Sequence, residues 1–75
     1  MTQTAAAGEI TVRVNGDARA IPAGLSVAGL LAHLELEPRM VVVEHNGDIL
    51  RRDSYAGAPV REGDQLELVH FVGGG

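Results

Sequence analysis

The tripeptide Asn-Gly-Asp occurs twice in this chain, at residues 15–17 and 46–48, each time after a strand-like, valine-bearing stretch. Asn and Gly accept the positive φ angles that two-residue hairpin turns demand, so each copy predicts a tight β-hairpin. Two hairpins within 75 residues already commit much of the chain to sheet. A chain this short buries only about 60% of its unfolded surface, which leaves room for one small core and one domain.

The flanking residues support both turns. Before the first, Ile10, Val12 and Val14 alternate with Glu9, Thr11 and Arg13, the period-2 pattern of a half-buried strand. Residues 18–21 return as its partner until Pro22 and Gly24 interrupt. Around the second turn, residues 40–45 and 49–51 form another pair. Val41, Val42 and Val43 are consecutive, so their sides are ambiguous; placing Val41 and Val43 inward keeps Glu44 out of the core. In the last strand, residues 65–72, Leu66 and Leu68 alternate with Gln65 and Glu67, and Val69 and Phe71 share the Glu67 side.

Between the hairpins, Ser26 is suited to cap a helix N-terminus. Val27, Leu30, Leu31 and Leu34 then fall at i, i+3, i+4 and i+7, one apolar stripe. Gly29 costs that helix about 1 kcal/mol against alanine. Pro38 closes the segment. Residues 52–59 read as an irregular crossing with a turn of helix, and residues 61–64 as a turn into the last strand. The order ββαβ(β)β is of the α+β class, with one helix covering one face of a mixed sheet. A right-handed helical crossover lets the strands it joins lie parallel.

Composition narrows the function. Cysteine is absent, which excludes a disulfide staple, a thiolate metal site and a cysteine nucleophile. The net charge of −4 argues against a nucleic-acid surface. All six cationic residues are arginine, a bias of the sort an arginine-preferring genome produces. The N-terminus has no basic, apolar signal, and no run approaches the ~20 apolar residues of a membrane span. A cytoplasmic protein with no membrane or nucleic-acid partner is the expectation.

Several segments together resemble the ThiS family of sulfur carriers for thiamine biosynthesis, which are ubiquitin-like β-grasp proteins. They are "VNGD", the helical "SVAGLLAHL", "VVVEHNGDILRR" and above all "REGDQLELVHFVGGG". Tyr55 stands where the family often carries tryptophan. Residues 1–8, small and polar, read as a flexible tail outside the resemblance, which itself implies a β-grasp domain over 9–72 and a flexible glycine tail over 73–75.

It further implies that the Gly75 carboxylate is adenylated with ATP by a ubiquitin-activating-type adenylyltransferase. A sulfur donor protein then converts it to a thiocarboxylate, which supplies sulfur to a thiazole synthase. Such a carrier binds no cofactor, has no catalytic residue of its own and is not an enzyme. Gly73 and Gly74 would thread a narrow channel, since residues without Cβ let a partner close around the backbone.

Other residues are weighed beside this. Val69 and Phe71, with Val42 on the neighbouring strand, are candidates for a docking patch; alternatively Phe71 folds back over the core. His33, His45 and His70 match no zinc spacing, so no metal is expected, and His70 is a candidate partner contact. Glu62, Asp64 and Glu67 either cap a turn or meet partner arginines. Alternatives are a carrier for molybdopterin or another sulfur pathway, and a non-covalent ubiquitin-like binding module. An enzyme ranks below both.

Overall fold

A computed structural model describes residues 6–71 of the chain, and all structural statements below concern those residues. The strands are β1 (Glu9–Val14), β2 (Asp17–Pro22), β3 (Val41–His45), β4 (Asp48–Ile49) and β5 (Gln65–His70). A helix, α1 (Val27–His33), lies between the two hairpins, with 3-10 turns at Pro38–Met40 and Arg52–Gly57. The strands form one mixed sheet in the order β2-β1-β5-β3-β4. Only β1 and β5 run parallel, with Arg13 opposite Gln65 and Val14 opposite Leu66. The mixed sheet with one main helix is the ubiquitin-like β-grasp form of the α+β class.

Both Asn-Gly pairs adopt positive φ at each residue: 52° and 87° at Asn15 and Gly16, 51° and 90° at Asn46 and Gly47. These are the mirror-image turns whose twist suits a two-residue hairpin. They fix register, placing Val14 opposite Asp17 and His45 opposite Asp48. Pro22 ends β2 at the sheet edge, where its missing N–H costs no ladder bond.

Ser26 caps α1, its hydroxyl accepting from the Gly29 N–H at 3.0 Å. Val27, Leu30 and Leu31 are fully buried, and Leu34 packs partly against them. The helix stops well before Pro38. Leu34 is its C-cap, and Glu35 takes a left-handed φ of 60°. The Leu36 N–H then bonds the Leu31 carbonyl at 2.8 Å and the Glu35 N–H that of Ala32 at 3.0 Å. This is the paired closure that ends many helices, here with glutamate where glycine is usual.

The core lies between α1 and one sheet face. It gathers Val12, Val14, Ile21, Val27, Leu30, Leu31, Val41, Val43, Tyr55, Val60, Leu66 and Leu68. Val41 and Val43 point inward, as the avoidance of a buried Glu44 requires. Met40 belongs to the turn rather than to β3, and β4 ends at Ile49 rather than at residue 51. Leu50 still donates its N–H to the Val43 carbonyl at 2.9 Å, so the hairpin outlasts the regular strand by one residue. The crossing at Arg52–Gly57 buries Tyr55. Ahead of β1, the Glu9 N–H bonds the Ala6 carbonyl and the Ala23 N–H that of Gly8, each at 3.0 Å.

Candidate functional site

β5 leads out of the sheet toward the glycine run, so the site is built on its last residues. The Phe71 N–H donates to the Met40 carbonyl at 2.7 Å, one step beyond the Val41–His70 pairing. Bonded pairs alternate in an antiparallel ladder, so those of β3 and β5 fall at Met40/Phe71, Val42/Val69 and Glu44/Glu67. Side chains of these pairs point to the sheet face opposite α1. Val42 is half-buried, Val69 is 58% exposed and Phe71 is 44% exposed.

Val42, Val69 and Phe71 are thus brought together on the open face beside the end of β5. Phe71 does not fold back into the core. Ile49, 71% exposed, joins the same face because it pairs with Glu44. Sequence reasoning had missed it as part of this surface. The signal was present, since a two-residue turn at Asn46 and Gly47 fixes Ile49 opposite Glu44 by counting. Gly73, Gly74 and Gly75, with Val72, lie outside the described residues.

The start of β5 is held by side chains rather than by strands alone. β1 turns away after Val14, and the Leu68 peptide groups face the space it leaves. The Asn15 carboxamide fills it, accepting from the Leu68 N–H at 2.7 Å and donating to the Leu68 carbonyl at 3.2 Å. Asn46 accepts from the Gln65 N–H at 2.8 Å on the other flank. The asparagines that permit the turns also clamp the strand that bears the tail.

The acidic turn before β5 is consumed by the fold. Asp64 accepts from the Arg61 N–H at 2.9 Å, from the Asn46 amide at 3.1 Å and from His45 Nε2 at 2.8 Å. Burial opposes ionisation of Asp64, but hydrogen bonds from His45, Arg61 and Asn46, with the charge on His45, outweigh it. They hold the carboxyl below its usual range. Glu62 accepts from the Thr11 N–H at 3.1 Å. Of the three acids, only Glu67 stands on the open face.

His33 and His70 are exposed, whereas His45 is tied to Asp64. Among the described residues, no group of three or more His, Cys, Asp or Glu is placed to hold a metal ion. No helix among them is long and apolar enough to cross a membrane.

Comparison with known proteins agrees with this architecture. The model of the ThiS family matches residues 12–75. The chain is 40% identical over 50 residues to the sulfur carrier protein ThiS of Bacillus subtilis, covering 67% of this chain and 76% of that one. It is also 44% identical over 62 residues to a thiazole synthase of Paramagnetospirillum magneticum, covering 83% of this chain. The chain spans only 19% of that longer relative. The crystal structure of the thiamine biosynthesis protein ThiS from Geobacter metallireducens superposes with a TM-score of 0.75 at 33% identity, covering 88% of this chain and all of that one.

Proposed function

The chain belongs to the ThiS family, and from that premise we propose that it is a sulfur carrier of thiamine biosynthesis whose Gly75 carboxylate is the reacting group. The observation that carries this reading is the family match, which runs through the last strand and the glycines to residue 75. The apolar patch of half-buried Val42 with exposed Val69 and Phe71 beside the end of β5 supports it, since a carrier needs a handle next to its reacting end.

The chemistry follows from what a carboxylate lacks. Its negative charge repels nucleophiles, and oxide is a poor leaving group. In the proposed sequence a carboxylate oxygen of Gly75 attacks the α-phosphorus of ATP on an adenylyltransferase, and pyrophosphate leaves. The outer sulfur of a donor protein's persulfide then attacks the acyl carbon, and AMP departs with the C–O electron pair. A thiol attacks the donor sulfur of the resulting acyl disulfide, forming a disulfide with it and releasing the carrier's sulfur. The product is the thiocarboxylate, which hands its sulfur to a thiazole synthase. ATP and the acid–base groups belong to the partner, so this chain acts as a co-substrate.

Glycine suits the reacting end because it offers the nucleophile an unhindered carbonyl and lets a channel close on the backbone. Fixing each tail residue costs about 1–2 kcal/mol, which contacts of the folded domain must offset. The test is an intact-mass measurement after incubation with the adenylyltransferase of the same organism, ATP and a sulfur donor. A mass gain matching sulfur for one oxygen, abolished by deletion of Gly75, is expected. Persistence of the unmodified mass beside an adenylyltransferase shown to be active would overturn the reading.

A further inference from the structure

The open sheet face carries a placement that the fold does not explain. Beside the Val42–Val69 row runs a second row, Ile49, Glu44 and Glu67, crossing β4, β3 and β5. Glu44 and Glu67 are a bonded cross-strand pair, with Cα atoms about 5.5 Å apart in such pairs. Like charges directly opposite destabilise a sheet. Neither carboxylate has a hydrogen-bond or ion-pair partner among the described residues. The cation on the adjoining strand of this face is Arg13, and its guanidinium donates instead to the Gly16 carbonyl at 3.0 Å.

Glu44 is half-buried in the middle of that row, so it is partly stripped of water. Ile49 and Val69, both largely exposed, flank the two acids. Lower local polarity strengthens attraction to an incoming cation. A second copy docking face to face would bring four carboxylates together, and the net charge of −4 disfavours it as well. Two carboxylates with apolar neighbours and no third ligand make a poor metal site. A guanidinium fits better: it is planar, offers five donors to two acids and packs its flat face against apolar groups.

We propose that this face docks a partner protein that sets an arginine between Glu44 and Glu67 while apolar side chains around it cover Val42, Val69, Phe71 and Ile49. The unfavourable acid pair in the free chain is then relieved on docking. This assignment rests on the reading of the face as the carrier's handle, and it names the chemistry of the surface that grips it.

The test compares the wild type with Glu44→Gln, Glu67→Gln and the double variant, titrated against the adenylyltransferase of the same organism. Unfolding midpoints are measured at low and high salt. The midpoint of the double variant should rise at low salt, and the gain should shrink as salt screens the wild-type repulsion. Affinity should fall about tenfold for each substitution, and the double variant should lose most of the salt dependence of binding.

Binding that is absent, or equally tight in wild type and double variant, overturns the proposal. So does dimerisation of the wild type that the substitutions abolish, which would give the face to a second copy. Failure of the sulfur chemistry is read separately. A chain that binds through these carboxylates yet never gains the sulfur mass keeps this surface and loses the carrier function.

Discussion

Tyr55 is 4% exposed, and its hydroxyl donates to the Val41 carbonyl at 2.9 Å. That carbonyl lies on the β4 side of β3, where β4 is too short to reach it. An aromatic ring with a polar tip fills the core and satisfies the carbonyl together, a combination that explains an amphipathic aromatic here. Phe71 has the opposite character: its backbone closes the ladder on Met40 while its ring stays 44% exposed. Under the proposed function, Phe71→Ala should therefore weaken binding to the proposed adenylyltransferase about tenfold or more, as loss of a large anchor does, and cost less than about 1 kcal/mol of folding stability. Titration and thermal unfolding of the same variant decide this. A large drop in midpoint with unchanged affinity would make Phe71 a core residue.

The termini of α1 show how far local rules reach. Its start was readable, because Ser26 has one good use immediately before an apolar stripe. Its end is marked in the sequence only by the last residue of the apolar stripe, Leu34, because Glu35 carries none of the usual stop chemistry. Glutamate at φ 60° is held there by the bonds from Leu36 and Glu35 back to Leu31 and Ala32 and by Leu36 packing on the core. A side chain in the left-handed region costs roughly 1–2 kcal/mol, which glycine does not incur. Glu35→Gly should accordingly stabilise the protein by about 0.5–1 kcal/mol, seen as a midpoint several degrees higher. A lower midpoint would mean that Glu35 contributes contacts that outweigh its strain.

At the scale of the whole molecule, Asp64 joins three parts of the chain. It is 14% exposed in its side chain and receives His45 from the end of β3, Asn46 from the second hairpin and Arg61 from the turn into β5. Its carboxyl is held below the usual range, so the unfolded chain takes up its proton first as pH falls. Its contribution is complete above the unfolded pKa of about 4 and disappears as pH drops through the lower folded value. Asp64→Asn should be less stable than wild type at neutral pH, and the two should converge in acid. Parallel curves of midpoint against pH would show that the carboxylate charge is unimportant.

Much of this fold was legible because its rules are local. Asn-Gly sets φ at each turn, a two-residue loop sets register, and alternation with Glu44 as an unwelcome core residue turned Val41 and Val43 inward. The candidate patch followed from the same parity. What the sequence could not decide is which groups meet across large separations. Asn15 clamps Leu68 53 positions away, Asp64 is taken up by His45, and Glu44 is set opposite Glu67 with no cation between them. Parity says which side of a strand a residue faces. Only the order of strands in the folded sheet says what stands beside it, because that order is chosen by burial of the whole core at once.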